Sequence, residues 1–399
     1  MQDSTAGVQA ELEKTVSEAI AKLAQADRSD GLVARAYDAA LDLKTLLSRP
    51  IQVAIGGEFS SGKSTFVKML LGQHVVETQA SASAMPTVNF LYGADPVYRA
   101  IGHTGSRSLY DISALSEDEL RELECLEVTL DVPFLKRFEI FDTPGTSDPS
   151  RSIDQLLTVA HQADFVIWCT NATQAWRESE RRMWENLPSE LKAKSLLLVT
   201  HVDLPSIRPS VDRLMKRLQK EAGPLFNKVI PMELLAASTA RDESGKVSNQ
   251  ATWESSGGAE CLNTMEAIST AIRADVFENV EYDLKNKIMP VVAALKTGPG
   301  PFVSYWSHEL NKTQSSLEGV DNAMVSLGYL KLLEGSQVFL EGNSKPQPQD
   351  AKKISTRLEE AHDYIGNILR QENTDENIQE SHAVIEQLNW EFKHFNMLA

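Results

Sequence analysis

Nine consecutive residues, Gly57-Glu58-Phe59-Ser60-Ser61-Gly62-Lys63-Ser64-Thr65, have the types and spacing to hold a chain of phosphates. They match G-x-x-x-x-G-K-[ST]. The apolar run Ile51–Ile55 precedes them and a helical pattern over Lys63–Leu71 follows, which is the context this motif requires. The glycines let the backbone close around phosphate oxygens. Successive N–H groups at the helix N-terminus then point at the anion. Lys63 would neutralise the β- and γ-phosphates, and the Ser64 hydroxyl would ligate Mg²⁺.

Further along, Asp142-Thr143-Pro144-Gly145 follows the run Arg137–Phe141. An acidic residue at the end of a buried strand can hold Mg²⁺, usually through water. A glycine N–H can contact the γ-phosphate and report its loss. Asp142 is therefore a metal candidate and Gly145 a catalytic one. Taken alone, D-T-P-G also reads as a turn. Thr200-His201-Val202-Asp203 ends the run Ser195–Val199. An Asp here can accept hydrogen bonds from guanine N1 and N2, a pattern adenine does not offer. The His201 imidazole can stack on a purine face. The competing reading is a strand followed by an Asp helix cap. Thr87, in Met85-Pro86-Thr87-Val88, lies between the two phosphate motifs, where a mobile segment must reach the ion. Its hydroxyl and carbonyl suit Mg²⁺ and an attacking water, although a threonine before a strand is also ordinary β-propensity. Ala236-Ala237-Ser238 follows the run Val229–Leu235 and reads as a small-residue loop, with Ala237 and Ser238 touching the base.

These residues need a scaffold. From about residue 51 to 240, short apolar runs alternate with amphipathic stretches. Ile51–Ile55, Val88–Tyr92, Phe138–Phe141, Phe165–Thr170 and Ser195–Thr200 read as strands. Lys63–Leu71, Ile153–Ala163, Gln174–Leu187 and Ser210–Ala222 read as helices. Such alternation argues for an α/β fold, a mostly parallel sheet covered on both faces. Residues 95–137 are less regular, with a hairpin and a short helix after Ser116 expected. Residues 8–48 carry helical stripes broken by a turn near Arg28–Gly31. A second helical region begins after about 262, with a kink expected at Pro290 and a break at Thr297–Pro301. More helices are expected at roughly 302–340, 351–371 and 376–396, with a loop at Gly342–Pro348. The expected domains are 1–48, 49–262 and 263–399.

G-E-F-S-S-G-K-S-T, M-P-T, D-T-P-G and T-H-V-D together resemble the GTPase domain of the dynamin superfamily, in particular its bacterial members. The resemblance covers roughly residues 45–275. It implies a P-loop GTPase domain plus a helical bundle built from N- and C-terminal helices that moves with nucleotide state. It implies GTP and GDP as substrate and product, Mg²⁺ as cofactor and a nucleotide-dependent homodimer. It also implies a peripheral membrane or protein partner. The family's nucleotide contacts carry over to Gly57–Thr65, Thr200, His201 and Asp203, its catalytic positions to Lys63, Ser64, Thr87 and Gly145, and its metal contacts to Ser64, Thr87 and Asp142. The chain departs at His201, where the family has Lys. Phe59 stands where eukaryotic dynamins carry a catalytic Gln, and Thr146 where small GTPases carry a water-orienting Gln. Hydrolysis is therefore expected to be slow, or completed by a second protomer.

Composition narrows the field. The 399 residues carry a net charge of −17 and 42 % apolar residues, so the chain is globular and general nucleic-acid binding is not expected. Cys125, Cys169 and Cys261 are scattered, which fits reduced thiols in a cytoplasmic protein. Neither a signal peptide nor a membrane-spanning run is read at the sequence level. No H-E-x-x-H or G-x-S-x-G pattern supports zinc or acyl-transfer chemistry. The charged run Gln174–Arg182 reads as a solvated helix face, with arginines acting in trans as the alternative. Pro301–Trp306 reads as an aromatic helix start, with a membrane paddle as the alternative. Two competing functions remain. One is a nucleotide-gated scaffold with negligible turnover. The other is a P-loop ATPase or kinase, against which Asp203 argues.

Overall fold

The computed structural model describes residues 2–26, 31–72, 86–102, 105–109, 115–144, 156–242 and 245–297. Gly145, Thr146, Pro301–Trp306 and the helices expected beyond 300 lie outside them. The chain divides into two compact units. One comprises Met1–Arg49 and Arg273–Ala399, the other Pro50–Ile272.

The second unit is built on a nine-stranded sheet among the described residues. Its strands are β1 (Ile51–Gly56), β2 (Thr87–Tyr92), β3 (Val97–Gly102), β4 (Gly105–Leu109), β5 (Leu123–Leu130), β6 (Phe138–Asp142), β7 (Phe165–Asn171), β8 (Leu196–Thr200) and β9 (Lys228–Pro231). Their spatial order is β4-β3-β5-β2-β6-β1-β7-β8-β9. Parallel pairing joins β6, β1, β7, β8 and β9. These strands are near-continuous apolar runs because both faces are covered; every residue of β8 is buried. At β2 the direction reverses, antiparallel to β6. The hairpin of β3 and β4 then extends the sheet through β5.

Helices α1 (Gln2–Gln25) and α2 (Gly31–Ser48) precede the sheet. Next come α3 (Lys63–Leu71), α4 (Glu117–Arg121), α5 (Glu178–Glu185), α6 (Ser189–Lys194) and α7 (Val211–Glu221). Last are α8 (Leu234–Thr239), α9 (Gln250–Ser255), α10 (Gly258–Asp283) and α11 (Met289–Thr297). One face of the sheet carries a core around Trp168, Trp176, Trp184 and Phe226. Trp184 stacks on Phe226 with ring centroids 4.1 Å apart.

In the first unit, α1 and α2 form an antiparallel pair, with Gln9 on α1 donating to the Leu47 carbonyl near the end of α2. Leu12, Val16 and Leu23 face Ala36, Ala40, Leu43 and Leu47, all buried. The segment 284–297 joins this pair. Pro290 was expected to kink the helix. The disturbance is a π-helical turn over Leu284–Ile288, where the Met289 N–H bonds the Leu284 carbonyl. A wider turn just before a proline relieves the contact between its ring and the preceding carbonyls.

The structure corrects three expectations. Leu123–Leu130 is a strand that was not read, although its alternating burial is the ordinary signature of a strand. The helix expected from Gln174 starts only at Glu178, because Trp176 has φ +59° and breaks the spiral. Ala237 and Ser238 are not in a loop. They lie inside α8, with Ala237 fully buried and the Ser238 hydroxyl bonded back to the Leu234 carbonyl at 2.9 Å. The strand ends at Pro231 and the helix begins three residues later, which leaves no room for a loop there.

Candidate functional site

The parallel strands all end on one edge, and three of the four expected motifs follow those ends directly. β1 runs into Gly57–Gly62, and Gly62, at φ +90°, caps α3. A side chain at Gly62 would meet Leu234 Cδ1 at 2.9 Å and Thr200 Cγ2 at 3.2 Å. At Gly57, φ is +138° and a Cβ would lie 2.2 Å from the Cys169 carbonyl oxygen. Both glycines are therefore dictated by positive φ and by crowding, from a backbone carbonyl at Gly57 and from side chains at Gly62. Ser60, at φ +57°, and Phe59 are exposed.

Lys63 folds back across this loop, and its Nζ donates to the carbonyls of Gly57 and Glu58, both at 2.8 Å. It is only 6 % exposed. Burial lowers its pKa, while Asp142, Cys169, Glu58 and Glu180 pull the other way. Ser61 Oγ is buried without a hydrogen-bond partner among the described residues. Ser64, on the first turn of α3, is exposed.

Asp142 ends β6. Its Oδ1 is enclosed and makes no hydrogen bond among the described residues. Burial pushes the carboxyl up to about 6, against the pull of Lys63. An enclosed, unpartnered carboxylate oxygen fits a hard cation. The described residues hold no cluster of three or more His, Cys, Asp or Glu that could hold an ion. Ser64 and Asp142 therefore suit Mg²⁺ only in company with phosphate oxygens. Next in line, Thr143 donates its hydroxyl to the Ile55 carbonyl at 2.7 Å and its N–H to the same oxygen at 3.2 Å. This pins the start of D-T-P-G to the end of β1.

Thr87 starts β2 beside Val88, which pairs with Asp142. The structure thus brings Thr87 to the same edge, but buried, at 4 % exposure.

The Thr200 hydroxyl lies 2.8 Å from the Ser61 carbonyl, 3.2 Å from the Thr170 carbonyl and 2.7 Å from His201 Nδ1. Its single proton serves a carbonyl, so Nδ1 carries a proton and donates to it. The loop after β8 is thereby tied to the phosphate loop. His201 has φ +58°, and Val202 is buried. Asp203 is no helix cap: the chain turns after it, and α7 begins only at Val211. Its carboxylate is half-buried with no hydrogen-bond partner among the described residues. Arg208 and Glu233, 3.1 Å apart, link the loops that follow β8 and β9.

Several contributors were not read from the sequence. Asn171 donates to the Ser60 carbonyl at 3.2 Å. Glu180, hidden in a charged run, is buried and accepts from Trp168 Nε1, Thr170 Oγ1 and the Arg177 N–H. Its neighbours Glu178, Arg181 and Arg182 do form the expected solvated pairs. Its spacing of three and four residues from Met183 and Trp184, both buried on the same face of α5, was the available signal.

The profile of the dynamin family matches residues 53–202, from the first strand to the loop after β8. Dynamin-like protein 2 of Campylobacter jejuni is 23 % identical over 278 residues, covering 67 % of this chain and 42 % of that protein. The isoniazid-induced protein IniC of Mycobacterium tuberculosis is 34 % identical over 108 residues, 25 % of this chain and 22 % of that one. The chain thus spans well under half the length of these relatives. Among solved structures, two from an oligomerised bacterial dynamin pair, described as a mechanism for long-range sensing and tethering of membranes, superpose with TM-scores of 0.50 and 0.52. They are 15 % and 14 % identical, with 99 % and 98 % of this chain and 75 % and 74 % of those chains covered. That likeness shows a shared fold. The matched segment holds the phosphate loop, the Asp142 strand and the Thr200–Val202 loop on one sheet edge, so the part of the chain that is similar to the dynamin family is the part that builds the candidate site.

Proposed function

We propose that this protein binds GTP with Mg²⁺ and hydrolyses it slowly, as a switch. The observation that carries this reading is the Thr200 hydroxyl bond to Ser61, which locks a loop with an unpartnered Asp203 onto the phosphate loop. A base-reading carboxylate and a phosphate cradle are then held in one piece.

In this reading the backbone N–H groups of Gly57–Gly62 and the start of α3 hold the phosphates, and Lys63 leaves its carbonyl partners to neutralise them. Ser64 and Asp142 would hold Mg²⁺, which when bound offsets charge on the β- and γ-oxygens. Thr87 reaches the ion only if the start of β2 loosens, which is the movement expected of a switch segment. Asp203 accepts from guanine N1 and N2, and His201 stacks on the base. Phe59 has no proton to give or take, and Thr143 is committed to Ile55, so neither orients water. A second protomer completing the site is the simplest remedy, as part of a nucleotide-dependent homodimer. The helices of 1–48 and 263–399 would form one domain that responds to nucleotide state. Action at a membrane, from the cytoplasmic side, is the partner surface that the bacterial dynamin likeness suggests.

Fluorescent GTP titration with and without Mg²⁺, and with competing ATP, tests the binding half. Equal competition by ATP would contradict the role given to Asp203. A scaffold with negligible turnover is the second reading, favoured by the exposed, chemically inert Phe59.

A further inference from the structure

Glu58 is an anion inside a loop built to bind anions. Its carboxylate is among the groups whose charge acts on Lys63, so it lies within electrostatic reach of the ammonium that must meet the phosphates. An unneutralised charge there would oppose a polyphosphate.

We propose that Arg177 and Ser179 are positioning residues of the phosphate site, acting through Glu58: they neutralise its carboxylate and hold it at the flank of the loop. This rests on the reading of the loop as a GTP site and deepens it. The Ser179 hydroxyl donates to Glu58 Oε1, and Arg177 Nη1 lies 3.6 Å from Glu58 Oε2. Both residues sit at the start of α5, far from Glu58 in sequence. Their mounting is rigid. Buried Glu180 takes the Arg177 N–H at 2.9 Å, the Thr170 hydroxyl at 2.9 Å and the Trp168 indole at 3.1 Å. Thr170 and Trp168 belong to β7, whose Cys169 carbonyl is the wall against which Gly57 packs. The same strand end sends Asn171 to the Ser60 carbonyl. The loop is thus gripped from one side at three successive points, Gly57, Glu58 and Ser60, and only the grip on Glu58 involves charge.

The clasp makes an electrostatic demand that a purely structural contact does not. Without Arg177 the uncompensated Glu58 repels the nucleotide, triphosphate more than diphosphate, and salt screens the repulsion. Removing the Glu58 charge as well removes the penalty. Ser179→Ala frees the carboxylate to turn, with a smaller effect in the same direction.

The test is a fluorescent-nucleotide titration of the full chain with Mg²⁺, for the wild type, Arg177→Ala, Glu58→Gln and the double variant. Arg177→Ala is expected to weaken GTP binding about tenfold near 0.05 M salt and GDP binding less, with the loss shrinking near 0.5 M salt. Glu58→Gln in the Arg177→Ala background is expected to restore most of the lost affinity. Unchanged binding in Arg177→Ala overturns the proposal. So does a loss that persists undiminished in the double variant, since Arg177 would then meet the nucleotide itself. Thermal melts of each variant separate these outcomes from loss of fold. Absence of GTP binding by the wild type would instead overturn the nucleotide reading on which the proposal rests.

Discussion

Lys63 holds two loop carbonyls that a phosphate chain would displace it from, so the site carries its own stand-in for the anion. Lys63→Ala is expected to lower GTP affinity about a hundredfold or more in a binding titration. Asp203→Asn is expected to shift preference from guanine toward xanthine nucleotides in a competition assay. An amide can donate to the extra carbonyl of xanthine but no longer satisfies both guanine donors. Asp142 has a consequence for stability. Its carboxyl is raised from the ordinary 3.8 to about 6, so the folded protein holds the proton more tightly than the unfolded chain does. Its favourable contribution is present at low pH and is lost as pH rises through about 6. Asp142→Asn is therefore expected to stabilise the nucleotide-free protein near pH 7.5 by roughly 1–2 kcal/mol, and to flatten the pH dependence of its melting temperature between about pH 4 and 7. At this scale the sequence was legible wherever a motif is contiguous. Glu58 and Ser179 lie 121 residues apart with six strands between them, and no local pattern announces that they meet.

The elements explain why the loop stays closed. Arg241 donates to the Met69 and Leu70 carbonyls at the C-terminal end of α3 and to the Gly245 carbonyl at 2.7 Å, with its guanidinium 5.7 Å from the Trp253 ring. It caps the helix whose other end starts at the proposed phosphate loop. Arg241→Ala is expected to cost about 2 kcal/mol in denaturant unfolding, with one or two carbonyls left unsatisfied and the stacking lost. The parallel strands and α3 were readable because buried parallel strands are unbroken apolar runs and α3 follows a glycine cap. β5 was missed because Glu127 and Thr129 on its outward face, and an exposed Glu124 at its start, dilute the apolar signal that Leu126, Val128 and Leu130 carry inward. Ala237 and Ser238 were misplaced because Pro231 splits the run Val229–Leu235 between a strand and a helix, and small residues suit either a loop or a tightly packed helix.

On the scale of the whole molecule, the sheet edge gathers the proposed nucleotide contacts in one unit, and the helices proposed to answer to them belong to the other. Among the described residues no helix is long and apolar enough to cross a membrane. The proposed activity is slow GTP hydrolysis at a site completed by a second copy. The most direct test is the GTP hydrolysis rate per molecule over a wide range of protein concentration, with ATP and Lys63→Ala as controls. The expected result is a GTP-specific rate that climbs with concentration and vanishes in Lys63→Ala. A rate that stays near zero at every concentration while GTP still binds would contradict the claim and leave the scaffold reading in its place.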